Sequence, residues 1–331
     1  MPFRAPRILT TIGYVLTLLI GLCIGWLLKG DTQTSGAATI IREPDGKYRF
    51  ISPLIGFNPG EKEEFEEYFE LEHILKDAID LLKQEKKIHS ASVYFRDMES
   101  GRWTGVNEDE LYSPASLYKV ALMIAVLKAS EKDPLFLEEK LVFTNSRNAE
   151  TPDHPPLIKG KAYSVRELLD RLITLSDNDA KNLLRDRIGL EAVSTVFNDL
   201  RLAEPKLEET GDSMSARTYS RFFRTLYNAT YLSRELSEQA LTLLSQVTFK
   251  SGILNGLPPE AQGLTVAHKF GYRVFPDPLD VVREELHDCG IVYVPEQPYF
   301  VCIMTKGFTQ TDLMDAIQLL SRTVYREVTS K

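Results

Sequence analysis

Ser113-Pro114-Ala115-Ser116-Leu117-Tyr118-Lys119, followed by the apolar run Val-Ala-Leu-Met-Ile-Ala-Val-Leu at 120–127, is the stretch on which the reading of this chain turns. The Ser-Pro-Ala segment is loop chemistry and the run after it is helical, so Ser116 falls at the mouth of an apolar helix. A serine there meets free backbone N–H groups, and the residue three positions on returns to the same face. Lys119 can then reach the Ser116 hydroxyl. A lysine desolvated under such a helix, with a second cation nearby, loses much of its charge and can accept the proton as the serine attacks.

Two further motifs lie downstream. Ser176-Asp177-Asn178 separates the helical patterns VRELLDRLITL and AKNLLRDRI, and by itself it reads as a helix N-cap, for which these residue types are preferred. His268-Lys269-Phe270-Gly271 ends the strand LTVA and precedes the pair GIVYV and YFVCIMT. A lysine beside a cleft can hold an anionic substrate, and a glycine lets another backbone approach closely. Lys250-Ser251-Gly252 has a similar composition, but it follows the helical run ELSEQALTLLSQV and opens into GILNGLPPE, which is loop chemistry. Lys269 is therefore preferred to Lys250.

Strand patterns frame this region. ASVYFRD and RWTGV flank a Glu-Ser-Gly-Arg turn and predict a β-hairpin, helical patterns run from 117 to 244, and a last helix begins near Thr311. The acidic run from Glu61 to Glu72 leads into Leu75, Ala78, Ile79 and Leu82 at helical spacing, a core helix with a solvated face. Strands at both ends with helices between predict one antiparallel sheet built from both termini, with an inserted helical lobe. In a hairpin turning at 295–298, Cys289 faces Met304 rather than Cys302, so no disulfide between the two cysteines is expected.

The chain of 331 residues is 43% apolar and carries a net charge of −8, with 39 Lys+Arg against 47 Asp+Glu. It lacks the basic footprint of a nonspecific nucleic-acid binder. Its three cysteines and five histidines show no zinc spacing, so neither a metal nor another cofactor is expected. From 8 to 28 there is no charged side chain, a length that spans the roughly 30 Å hydrocarbon layer as a helix. Arg4 and Arg7 precede it, so the positive-inside rule leaves a cytoplasmic stub at 1–7 and places everything beyond Lys29 outside. Residues 29–70 read as linker and tether, with a short ordered stretch at YRFISPLIGF, and 71–331 as the catalytic domain.

Together, in this order, the three motifs resemble the Ser-x-x-Lys, Ser-Asp-Asn and Lys-Thr-Gly signature of class A β-lactamases and penicillin-binding proteins. The likeness covers about 71–331 and extends to ASVYFRDMESGRW, SVRELLDRLITLSDNDAKNLL and DCGIVYVPEQPYFVCIMTKGF. It implies an α/β architecture: a five-stranded antiparallel sheet flanked by helices plus an all-helical lobe, with the active site between them. By the same resemblance Ser116 is the acylated nucleophile, Lys119 its base, and Ser176 the proton relay to the departing nitrogen. Asn178 orients the substrate carbonyl, Lys269 binds the substrate carboxylate, Gly271 keeps the strand close, and the N–H groups of Ser116 and Tyr272 form the oxyanion hole.

Two positions depart from the pattern. Phe270 replaces a hydroxyl residue that helps grip the substrate carboxylate, with Arg273 as a possible substitute. Glu204, in Glu-Pro-Lys-Leu-Glu, stands where those enzymes place the deacylating glutamate, but Glu208 replaces the expected asparagine. The resemblance implies a membrane-anchored β-lactamase, a D-Ala-D-Ala carboxypeptidase or transpeptidase acting on peptidoglycan peptides, or a slow-deacylating penicillin-binding module.

Overall fold

In a computed structural model of the chain, the described residues are 39–43, 47–58, 68–148, 153–205, 211–275 and 283–330. Strands β1 (Ser90–Asp97), β2 (Trp103–Val106), β3 (Val266–Phe275), β4 (Arg283–Val292) and β5 (Tyr299–Gly307) form one sheet in the order β2-β1-β5-β4-β3. Every neighbouring pair is antiparallel. The first hairpin and the C-terminal strands therefore share a sheet, as the pattern at the two ends of the chain requires.

Alternation sorts the sheet into two apolar faces. Val93, Phe95, Val301 and Ile303 point one way, against Leu75 and Ile79 of α1 (Phe69–Gln84) and Leu313, Ile317 and Leu320 of the C-terminal helix (Gln310–Thr329). Tyr94, Phe300, Cys302 and Met304 point the other way, into the core of the helical lobe. At the centre of that core lies α2 (Tyr118–Ser130), whose residues from Tyr118 to Leu127 are all buried. An apolar run without an amphipathic period is what such an enclosed helix requires. Truncating Leu122, fully buried within it, would cost about 2–5 kcal/mol.

Around α2 pack α3 (Val165–Thr174), α4 (Asn178–Ile188), α5 (Leu190–Asp199), α6 (Ala216–Tyr227) and α7 (Arg234–Leu244). Side chains start several of them: Ser164 and Glu167 form a reciprocal capping box on α3, and Asp177 caps α4. The ordered stretch expected near residue 50 is docked on the lobe. Glu238 accepts from the backbone N–H groups of Arg49, Phe50 and Ile51 at 2.8, 2.9 and 3.0 Å, and the Ser52 N–H donates to the Tyr227 carbonyl at 2.9 Å.

The disulfide expectation is corrected. The hairpin register pairs Val292 with Tyr299 and Cys289 with Cys302, whose sulfurs are bonded, with Cα atoms 3.9 Å apart. The six residues 293–298 all lie in the connection, so the strands meet in a register different from that of a turn at 295–298, and the cysteines face each other. Among the described residues no helix is long and apolar enough to cross a membrane; the expected anchor at 8–28 lies outside them.

Candidate active site

Ser116 sits in a short 3-10 turn (Ala115–Leu117) that runs directly into α2. It is half-buried, with its helix-mouth N–H groups around it. The preceding Ala115 has a φ of 45°, in the left-handed region that a Cβ disfavours. Such a turn persists only where its surroundings hold it. Part of that hold comes from β3, the sheet edge: a Cβ added to Gly271 would lie 2.9 Å from the Pro114 carbonyl oxygen and 3.2 Å from the Leu117 nitrogen. Only a glycine lets the strand approach the Ser116 turn this closely.

Lys119 lies one helical turn from Ser116 and is almost wholly buried. Its side-chain nitrogen donates to Ser176 twice, at 3.0 Å to Oγ and also to the carbonyl oxygen. Among the described residues no hydrogen bond joins it to Ser116. Burial drives the Lys119 pKa well down; Lys269 and Lys181 push it further by charge repulsion, and Asp177 opposes them. A neutral amine has two N–H donors. With both directed at Ser176, the nitrogen lone pair is left to take a proton.

The Ser-Asp-Asn motif serves two purposes in one turn. Ser176, with φ 56°, turns its carbonyl and hydroxyl toward Lys119. Asp177, buried, caps α4 by accepting from the N–H groups of Asp179 and Ala180 at 2.8 and 3.1 Å, and Arg171 pairs with its other oxygen at 2.8 Å. The capping reading holds at Asp177, and the adjacent Ser176 faces Lys119. Asn178, the first residue of α4, is exposed.

Lys269 on β3 is fully buried, and its amine has no hydrogen-bond partner among the described residues. Burial draws its pKa down to about 7, with Asp288 acting in the opposite direction. An unpaired buried amine of this kind is unfavourable until an anion meets it. Lys250, by contrast, is exposed in a turn after α7.

Other residues singled out by sequence are placed as follows. Phe270 stacks on Phe249, ring centroids 4.2 Å apart. The Tyr272 hydroxyl donates to Glu284 at 3.0 Å. Arg273 donates to the Ser113 hydroxyl at 3.2 Å. Glu204 accepts from Ser194 of α5 at 2.5 Å and lies near enough to Tyr118 to raise its pKa by charge. Among the described residues it makes no hydrogen bond to Ser116 or Lys119. Sequence reading missed Lys181 and Asp288, which act on the two lysines through space. Lys181 carried a weak signal, since it lies one helical turn beyond Asp177; Asp288 carried none.

Comparison with known proteins agrees with this geometry. Residues 71–328 match the model of the family described as "Beta-lactamase enzyme family". The chain is 26% identical to a β-lactamase of Streptomyces albus G over 262 residues, 70% of this chain and 79% of that one. It is 31% identical to β-lactamase L2 of Stenotrophomonas maltophilia over 145 residues, covering 43% of this chain and 44% of the relative, so that match spans less than half of either. In fold it is similar to a class A β-lactamase from Mycobacterium abscessus, with a TM-score of 0.65 at 21% identity over 76% of this chain and 98% of that one. It is equally similar to PBP-A, at 0.65 and 22% over 78% and 97%. With motifs, fold and family match all falling on the same residues, the chain belongs to the β-lactamase enzyme family, a branch of the serine hydrolases related to penicillin-binding proteins.

Proposed function

We propose that this protein is an extracytoplasmic, membrane-anchored serine hydrolase that opens β-lactams through an acyl-serine intermediate. The single observation that carries the reading is the arrangement of the two buried lysines. One, Lys119, lies buried where its charge is disfavoured and donates to Ser176; the other, Lys269, has no hydrogen-bond partner among the described residues.

In the acylation step the Ser116 oxygen attacks the lactam carbonyl carbon and its proton passes to Lys119. The developing oxyanion is met by the N–H groups of Ser116 and Tyr272, where loss of one such donor costs about 2.7–4 kcal/mol in comparable sites. As the C–N bond breaks, Ser176 delivers a proton to the nitrogen and is resupplied by Lys119. Lys269 meets the carboxylate of the substrate, and Asn178 contacts its carbonyl side chain. Water attack on the acyl-serine then completes hydrolysis.

A second reading is supported by Glu204, whose carboxylate is engaged by Ser194. If no base reaches the acyl-enzyme, the protein behaves as a penicillin-binding module or a D,D-peptidase. Incubation with a chromogenic cephalosporin, with turnovers counted per Ser116, separates the two: many turnovers support hydrolysis, and a single stoichiometric adduct by intact mass supports the second reading. Retention of the full chain in carbonate-washed membranes tests the anchor at 8–28.

A further inference from the structure

Two buried polar side chains on β4, Glu285 and His287, have no part in the chemistry above. Both are fully buried, and they occupy the face of the strand that continues into Cys289 and Ile291 and packs on the lobe core. They converge on one residue, through the two peptide groups that flank its Cα. Glu285 Oε2 accepts from the Ser113 N–H at 3.0 Å, and His287 Nε2 lies 2.9 Å from the Ser113 carbonyl oxygen. The Thr305 N–H points at His287 Nδ1 at 3.3 Å, so Nδ1 is the acceptor and the ring proton sits on Nε2, which donates to Ser113. Arg283 lies 3.1 Å from the other Glu285 oxygen as an ion pair without a hydrogen bond, and the Tyr112 ring stands edge-on to the imidazole.

We propose that Glu285 and His287 are positioning residues: they hold the N–H and the C=O of Ser113, in the two successive peptide groups around its Cα, and thereby hold the left-handed turn at Ala115 that aims Ser116. Burying a carboxylate and an imidazole on an otherwise apolar strand face is costly, and apolar side chains would fill the space without that penalty. What apolar residues cannot do is satisfy the buried N–H and C=O of Ser113 while fixing the orientation of the two peptide groups that carry them. Ala115 adopts its unfavourable φ two residues after Ser113, and Ser116 follows directly. A tilt of either peptide group at Ser113 is therefore passed on to the Ser116 turn.

This inference rests on Ser116 being the acylated residue, and its test separates the two ideas. The maximal rate and half-saturating concentration of acylation by a fluorescent penicillin are measured for the full chain and for E285Q, H287F and H287Q. A clamp predicts that H287F loses up to about a hundredfold in maximal rate at a nearly constant half-saturating concentration. H287Q, whose amide can still donate to the Ser113 carbonyl, recovers part of it. If the variants lose only active fraction and melting temperature, with the rate per active molecule unchanged, the two residues are structural and the proposal fails.

Amide hydrogen exchange over 111–118 is read in the same proteins. Faster exchange confined to 113–117, with α2 still protected, is expected; unchanged exchange overturns the clamp whatever the substrate. If the wild-type chain takes no penicillin on Ser116 while the variants show the faster exchange, the clamp stands and the reading of the function fails instead. E285Q, which differs least from the native side chain, carries the test if H287F does not fold.

Discussion

Lys119 and Ser176, 57 residues apart in the chain, meet through a 3.0 Å hydrogen bond from Nζ to Oγ and a second from Nζ to the Ser176 carbonyl oxygen. The carbonyl contact is available because Ser176 adopts a φ of 56°, a conformation that costs a non-glycine residue on the order of 1–3 kcal/mol. Strain at Ser176 thus accompanies its contact with Lys119.

Lys119→Met should reduce acylation by roughly 10²–10⁴-fold, the usual worth of a positioned base. Ser176→Gly is predicted to do two opposite things. Glycine accepts the positive φ, so the melting temperature rises, but the hydroxyl that reprotonates the leaving nitrogen is lost, so acylation slows. Thermal melts and acylation rates on the same preparation check both. A variant that loses stability would show that the Ser176 side chain holds the turn rather than being strained by it.

Lys269 provides a prediction with a definite sign in pH. Its folded-state pKa of about 7 lies below the ordinary lysine value of 10.5, so between these limits the unfolded chain binds more protons than the folded one. Stability should therefore rise as pH increases from 7 toward 10.5, with the full penalty present below 7. Lys269→Met removes this dependence. Its advantage in melting temperature over the wild type should be large at pH 6 and shrink by pH 10; an advantage independent of pH would contradict the lowered pKa of the buried amine.

The same lysine separates substrates. Lys269→Ala should weaken binding of a carboxylate-bearing β-lactam far more than that of a neutral thioester, because only the former uses its charge. Lys250→Ala, at an exposed turn, should leave both close to wild type. Steady-state kinetics on the two substrate types decide the matter, and equal losses toward both in Lys269→Ala would remove the assigned role.

How much of this was legible in the sequence follows from the range of the interactions. The turn from Ser116 to Lys119 is local, and helical spacing places them on one face without further information. The α2 core and the β1–β2 hairpin are legible for the same reason, since their periods are written in consecutive residues. Lys119 with Ser176 is different: nothing local joins them, and only the order of three motifs in a known family brought them together. The Cys289–Cys302 pairing was misread because register depends on how many loop residues leave the ladder, and a shift there changes every partner. The influence of Lys181 and Asp288 on the two lysines arises from burial that only the folded chain creates. The Glu285 and His287 contacts with Ser113 span more than 170 positions and left no pattern to read.

Gly271 offers a steric test of how closely β3 must approach the nucleophile. In Gly271→Ala the new methyl would lie 2.9 Å from the Pro114 carbonyl oxygen, so strand or turn must move. A displacement of that kind can lower the acylation rate by up to about a hundredfold, since the reacting atoms leave their productive geometry. Circular dichroism should remain native while acylation falls; unaltered acylation would mean the turn relaxes without moving Ser116.

The last prediction concerns turnover. Water attack on the acyl-enzyme needs a base within hydrogen-bond reach or one water away. Glu204 instead binds the Ser194 hydroxyl at 2.5 Å, and among the described residues it makes no hydrogen bond to Ser116 or Lys119. Acylation, with Lys119 already facing Ser176 and its charge disfavoured by burial, is better prepared than deacylation. Pre-steady-state kinetics with a cephalosporin should therefore show a burst of one equivalent followed by slow release. If Glu204 serves as the base after all, Glu204→Gln keeps the burst and removes the slow phase, because the amide preserves shape but accepts no proton. Ser194→Ala then becomes informative: freeing the carboxylate from its partner should speed the slow phase. A steady-state rate that ignores both substitutions would take Glu204 out of the reaction and move the balance toward a trapped acyl-enzyme.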